Sequence, residues 1–402
     1  MVGYESIKYS LNNLRKRKSR SFFTIFSIFI GITTIFIFIS FGLGLYSFIG
    51  EMSSGSSADK VLIQPKGMGV AGIGSTIVLD DTDLRAIRNT QGVYDASGVY
   101  IKPAEILMQN KRVYTLLIGY DPDKPLVMEM SNVGLYKGRQ LSSGDNAEII
   151  LGYNYQVAGK IFPKPISLND RIYINGKQLK VVGFFDEVGT PQDDAQIYVS
   201  NDYIDNIYPD QNNSYGWIVA RVDVKNIDSV VLKIEKNLRQ ERDLEEGKED
   251  FFVQSFKDMI EGYSSALNIV IGFIVLIALI SVLVSAVNTA NTMITSVIER
   301  TKEIGIIKSI GARNSSVFSI FLFESSFLGF VSGVVGVLIG YLLSSLGGAL
   351  LKNLGYGFLQ PDLNPWLFVG CILFATITGA VSGVFPAIRA AKTNPVDALR
   401  YE

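Results

Sequence analysis

The sequence predicts an integral membrane α-helical protein of four transmembrane helices, with a large α+β extracytoplasmic domain inserted between helices 1 and 2. Three observations predict it. Four apolar runs are each long enough to cross a bilayer core, which takes about 20 helical residues. The segment between the first two runs, residues 50–262, mixes strand-like and helix-like patterns. Basic residues crowd only one set of span ends, as they do in membrane proteins of fixed orientation.

Residues 1–21 carry the basic cluster Arg15-Lys16-Arg17-Lys18-Ser19-Arg20 ahead of the first span, residues 22–49. That run is far longer than the core of a signal peptide, about 7–15 residues, and no small-residue cleavage site follows, so it reads as a retained anchor. As a helix it would measure about 42 Å against a hydrocarbon core of about 30 Å, and must tilt or continue beyond the lipid. The other spans are 266–290, 317–346 and 366–388, separated by a polar segment at 291–316 and a short loop at 347–365, with a tail at 389–402. The ends and the 291–316 segment hold Lys8, Arg20, Arg300, Lys302, Lys308, Arg313, Arg389, Lys392 and Arg400 besides the cluster; the 347–365 loop holds only Lys352. Both termini and the polar segment are therefore expected in the cytoplasm and residues 50–262 outside.

The formal charge of the chain is −1, but residues 50–262 hold 23 Lys/Arg against 31 Asp/Glu, a net of −8. There is no His and a single Cys, Cys371. That composition excludes Ser-His-Asp and Cys-His catalysis, His-based zinc sites and an internal disulfide.

The outside segment opens on a Ser/Gly linker, "EMSSGSSADK". Strand-like runs follow, among them "KVLIQP", "RVYTLLIGY", "AQIYVS" and "GWIVARVDV", and "YINGKQLKVV" reads as a hairpin turning at Asn175-Gly176. One helix is predicted over "LDDTDLRAIRNT", where Asp80 as N-cap and Asp83 three residues on form a capping pair. A second is predicted over "NIDSVVLKIEKNLRQE", with Val230, Val231, Ile234 and Leu238 at helical spacing. The stretch 124–212 reads as all strand, and so as a second subdomain.

"GMGVAG" (Gly67, Gly69, Gly72) matches a dinucleotide fingerprint, but no helix start follows it, so a surface loop is the better reading. The acidic pairs Asp80-Asp81, Asp121/Asp123 and Asp193-Asp194 lack metal-loop spacing and read as caps and turns.

In the third span Gly329, Gly333, Gly336 and Gly340 share one helix face, and the fourth has Gly379 and Gly383 followed by Pro386. Small residues on one face admit a neighbouring helix closely. Glu324 is the one acid inside a span. No second ionisable group accompanies it there, so it reads as an interface-facing acid, or one bonded to a neighbouring helix, rather than a proton relay.

The polar segment "SVIERTKEIGIIKSIGAR" is the most informative stretch. It reads as a helical continuation of the second span, with Ile304, Ile307 and Ile310 recurring every third residue and Ile306 beside them. Glu299, Arg300, Lys302, Glu303 and Lys308 fill much of the remaining circumference. Gly305 and Gly311 weaken it by roughly 1 kcal/mol each relative to Ala, and Gly311 is expected to end it. A short helix so handicapped needs contacts to persist, with either a membrane surface or a partner protein.

"ERTKEIGIIKSIGA", followed by "FLFESSFLGFVSG", resembles the FtsX-like permease region of MacB-type ABC transporters. The ending "PAIRAAKTNPVDALRYE", with Pro386, Arg389, Pro395 and Leu399, is similar to the ending of those permeases. "LDDTDLRAI", "IGYDPDKPL", "YKGRQLSSGD" and "ILGYNYQVAGKIF" resemble their extracytoplasmic core domain in the same order. The resemblance implies that Glu299, Arg300, Glu303, Gly305, Ile306, Lys308, Gly311 and Ala312 belong to a coupling helix seated on a separate ATP-binding subunit. This sequence has no G-x-x-x-x-G-K-[ST] loop, so the resemblance implies a non-catalytic permease subunit, without a cofactor of its own and with ATP held by the partner. It further implies a homo- or heterodimer of permeases, packing that the glycine stripes would suit, in contact with membrane lipid and with no nucleic acid. ATP binding by the partner would then move the outside domain, for export or extraction of a substrate. A membrane-anchored receptor using the outside domain as a sensor is the rival reading; it leaves the polar helix without a purpose.

Overall fold

The structure, a computed structural model, describes residues 18–53, 57–67, 77–108, 110–209 and 214–400; Gly69 and Gly72 of the fingerprint-like loop lie outside them. The chain divides into two compact units, a helical one over residues 1–45, 266–350 and 359–402 and a sheet unit over 46–265 and 351–358. In chain order the elements are α1 (Lys18–Ser53), β1 (Lys60–Pro65), α2 (Asp81–Arg88), β2 (Val93–Met108), β3 (Lys111–Tyr120), α3 (Leu126–Ser131), β4 (Leu135–Gly138) and β5 (Glu148–Leu151). There follow β6 (Arg171–Ile174), β7 (Lys177–Phe185), β8 (Ile197–Ser200), α4 (Ile204–Ile207), β9 (Trp217–Val222), α5 (Ile227–Glu241) and β10 (Phe251–Ser255). The last five are α6 (Phe256–Glu299), α7 (Thr301–Ser309), α8 (Asn314–Asn353), α9 (Pro365–Ala391) and α10 (Pro395–Arg400).

The sheet unit is built on one ten-stranded sheet in the order β10-β1-β9-β2-β3-β8-β5-β7-β4, with β6 pairing to β2 and β7. The pairs β3–β8 and β5–β7 are parallel and the others antiparallel. β2 carries the sheet across, pairing with β9 over its first half and with β3 over its second. Side chains alternate between faces with period two. Val61 and Ile63 of β1 and Ile218 and Ala220 of β9 enter one core, roofed by Ile87 of α2 and Ile234 of α5. Their neighbours Leu62 and Val219 enter another, with Leu126 and Met130 of α3. Because both faces are covered, these strands read as nearly continuous apolar runs.

The local signals work as their chemistry requires. Asp80 accepts from the backbone N–H groups of Thr82 and Asp83, and the Asp83 carboxylate accepts from the Asp80 N–H at 2.9 Å, a closed capping box. Asn175 and Gly176 both have positive φ, 48° and 79°, as a two-residue type I′ hairpin demands. The stretch 124–212 is not all strand, however: it contains α3 and α4, six and four residues long, too short for an apolar period to register. Its strands are continuous with the rest of the sheet through β3–β8 and β2–β6.

Among the described residues four helices, α1, α6, α8 and α9, are long and apolar enough to cross a membrane. All overrun the apolar runs that announce them. With 36 residues in α1 and 44 in α6, their lengths are about 54 and 66 Å, near twice a hydrocarbon core. α6 begins ten residues ahead of its apolar run because Ser255 and Asp258 cap it reciprocally: the Asp258 N–H donates to Ser255 Oγ at 3.0 Å and the Ser255 N–H to Asp258 Oδ2 at 3.3 Å.

In the helical unit the glycine stripe of α8 divides its work. A Cβ on Gly329 would come within 2.5 Å of the Ala375 carbonyl oxygen, and one on Gly333 within 2.8 Å of Ala375 Cβ, both on α9. A Cβ on Gly336 would reach 3.0 Å from Ile32 Cβ and from Phe29 O, and one on Gly340 2.9 Å from Phe36, all on α1. On α9, Gly379 faces Ser325 O and Gly329, and Gly383 faces the Ser325 side chain. The stripes expected to suit packing between copies thus join helices of one chain. Thr33 Oγ1 donates to Gly336 O at 3.0 Å, and the Ser40 and Ser344 hydroxyls lie 3.1 Å apart, adding polar contacts between α1 and α8.

Candidate functional site

The polar segment is not a continuation of α6. The helix ends at Glu299, and Arg300 takes non-helical angles of φ −109° and ψ 13° before α7 begins. No Pro or Gly marks this break, and it coincides with an inward turn of the Arg300 side chain. Arg300 is only 3% exposed and turns inward. Its Nη1 donates to Glu324 Oε2 of α8 at 3.0 Å and its Nε to Glu303 Oε2 of α7 at 3.2 Å. The guanidinium stands 5.0 Å from the centroid of the Phe321 ring, within cation–π range. Glu324, 5% exposed, is therefore a buried acid with a cationic partner, supplied from outside the apolar spans.

α7 closes as its glycine predicts. Gly311 has φ +100°, the Gly311 N–H donates to Lys308 O at 3.0 Å and the Ala312 N–H to Ile307 O at 3.2 Å, a Schellman motif. The inner side of α7 is Ile304 and Gly305, with Ile304 in a core with Val297, Val317, Phe321, Ala387 and Ala390. Lys308 lies across the end of α9, donating to Ala391 O at 2.8 Å and Thr393 O at 2.7 Å, a cation where the helix dipole is negative. α10 packs on α7. It starts at Pro395 behind Asn394, whose Oδ1 accepts from the Val396 N–H; Arg389 is exposed and Pro386 buried within α9, while the Leu399 side chain lies outside the described residues.

The isoleucines do not form the single face their spacing predicts. Ile304 is buried and Ile307 half-buried, but Ile306 is 50% and Ile310 82% exposed. Ile310 follows the last helical turn, so the three-residue period no longer sets its direction. Of the charged residues expected around the circumference, Glu299, Lys302 and Glu303 are exposed, whereas Arg300 and Lys308 point into the bundle. The result is an outward surface of two isoleucines beside Lys302 and Glu303, held on a helix anchored from behind at three places. The sequence reading missed the Arg300–Glu324 pair, 24 positions apart, and α10, which Asn394-Pro395 announces as an N-cap followed by proline.

The acidic pairs of the sheet unit are structural. Asp80 caps α2, and although burial would raise its carboxyl, the hydrogen bonds from Thr82 and Asp83 hold it below the usual range. Asp81 accepts from Tyr215. Asp194 is pushed up by burial despite accepting from the Val188 and Gly189 N–H groups. Among the described residues no cluster of three His, Cys, Asp or Glu side chains is placed to hold a metal ion.

Residues 21–237 match the MacB-like periplasmic core domain, and residues 275–395 the FtsX-like permease C-terminal region. An uncharacterized ABC transporter permease of Methanocaldococcus jannaschii is 31% identical over 98% of each chain. The chain belongs to the MacB/FtsX-like family of ABC transporter permeases. The permease YknZ of Bacillus subtilis is 25% identical over 99% of both chains. The macrolide export ATP-binding/permease protein MacB of Marinobacter nauticus is 27% identical over 99% of this chain, which spans 61% of that protein's length. Among solved structures, the periplasmic region of MacB from Actinobacillus actinomycetemcomitans aligns with a TM-score of 0.40 at 15% identity, covering 52% of this chain and 94% of that one. As a MacB/FtsX-like permease, the protein is a membrane protein with four spanning helices and an extracytoplasmic domain inserted between the first and second.

Proposed function

We propose that this permease is the non-catalytic membrane subunit of an ATP-driven transporter, and that α7 is the seat of a separate ATP-binding subunit. The observation that carries this reading is the outward surface of α7: Ile306 and Ile310 exposed beside Lys302 and Glu303. Fully burying one isoleucine is worth about 2 kcal/mol, so two aliphatic side chains with charges at their rim fit a protein groove. In this reading the termini and α7 lie in the cytoplasm, and two permease copies act together. ATP binding by the partner displaces α7, and α1 and α6, each longer than a bilayer is thick, pass the movement outward as mechanotransmission. The nucleotide stays with the partner, and the substrate is exported or extracted on the outer side without a catalytic group from this chain.

The test is co-purification of the full-length permease with its ATP-binding protein. Glu303→Lys and Ile306→Asp should leave the protein inserted and folded. Ile306→Asp should weaken the complex by about 2 kcal/mol, roughly 30-fold in affinity. Wild-type binding and wild-type stimulation of ATP hydrolysis in both variants would leave α7 as a membrane-surface helix and refute the reading.

A further inference from the structure

We propose that the buried Arg300–Glu324 ion pair is a rigid joint, which fixes the angle between α7 and α8 so that displacement of α7 moves the third span with it. The inference rests on the coupling reading above and assigns Arg300 and Glu324 as positioning residues within it. The break at Arg300 separates α7 from α6, and such a break is by default a hinge, because the backbone there has two soft dihedrals per residue; α7 must then be held against α8 by other contacts. At Arg300 the hydrogen bonding tightens to three residues, its N–H donating to Val297 O at 3.2 Å, while its carbonyl accepts the first bond of α7, from Ile304 N–H at 2.9 Å. The angle is then set by side chains.

The guanidinium supplies what that requires. Its planar fork reaches α7 through Glu303 and α8 through Glu324, while Phe321, one turn before Glu324, closes over it at 5.0 Å. A lysine, with a point charge on a flexible stem, cannot span two carboxylates in fixed directions. Burial makes the arrangement costly: an ion pair removed from water is often matched or exceeded in stability by apolar residues of similar volume. Stability alone therefore does not account for an Arg and a Glu here, whereas defined direction does. Glu303 adds the link to the outside. Its side chain is 54% exposed on the surface proposed to meet the ATP-binding subunit, yet bonded to the same guanidinium as Glu324. A partner engaging Glu303 is thus one residue away from the third span.

The test uses full-length permease in lipid nanodiscs, with Cys371→Ser and spin labels at Ser309 on α7 and Phe330 on α8, both exposed. Wild-type protein should give one narrow distance distribution that stays unchanged when the ATP-binding protein and ATP are added. Arg300→Met with Glu324→Leu should retain the melting temperature, but show a distribution about twice as broad. Arg300→Lys, which keeps the charge should the apolar pair fail to fold, should broaden it as well. A wild-type distribution in either variant overturns the joint and leaves the ion pair a fold element. The width is measured without the ATPase too, so a wild-type permease that binds no ATPase defeats the coupling reading while the joint is still judged.

Discussion

Gly336 shows how far a single missing side chain shapes the helical unit. Its Cβ position lies 3.0 Å from a backbone oxygen, Phe29 O, which cannot rotate away as a side chain could. Gly370, on α9, has nothing within 4 Å of the same position. Gly336→Leu should therefore separate α1 from α8, at about 2 kcal/mol or more, and lower the thermal midpoint of the detergent-solubilised protein. Gly370→Leu, in which the new side chain meets lipid, should leave the midpoint within experimental scatter. Equal behaviour of the two would mean that α1 does not sit against this face of α8. The glycine spacing was readable in the sequence, but its partner was not: any close helix, from the same chain or another copy, satisfies the same pattern.

At the scale of elements, legibility followed the length and locality of the signal. β1 was read to its last residue, and α2 and the Asn175-Gly176 turn announced themselves through caps and turn chemistry that act within four positions. β10 is hard to read because its run, "FFVQS", is only five residues long and lies between the charged stretches "GKED" and "FKD". The break at Arg300 has no Pro, Gly or capping signal in the sequence, and its contact with Glu324, 24 positions away, leaves no local trace. Lys308 was read as part of a charged face, although it closes the end of α9. Removing that cation by Lys308→Met should weaken the α9 terminus by about 1 kcal/mol. Hydrogen exchange at residues 388–394 should then be about fivefold faster, with the α8 amides unchanged. Unaltered exchange there would show that the α9 carbonyls do not depend on Lys308.

The orientation of the whole molecule rests on the asymmetry of its basic residues, and the structure changes which of them bear on it. Arg300 and Lys308 are turned into the bundle, Arg300 toward Glu324 and Lys308 toward the carbonyls of Ala391 and Thr393, so they do not lie on the surface as Lys302 and Arg313 do. Discounting both, Lys302, Arg313, Arg389 and Lys392 remain exposed on that side, against Lys352 at the opposite end of α8. The positive side is still the side of α7, and because positive loops stay in the cytoplasm we expect α7 and both termini there. The sheet unit, net negative and without such a cluster, is expected outside. In a Cys371→Ser background, Tyr114→Cys on the sheet unit, 75% exposed in the native residue, should react with a membrane-impermeant maleimide in intact cells. Ser315→Cys, exposed at the start of α8, should react only after the cells are opened. Labelling of Ser315→Cys alone in intact cells would place α7 outside, where no ATP-binding protein could reach it, and the coupling reading would fall together with the orientation.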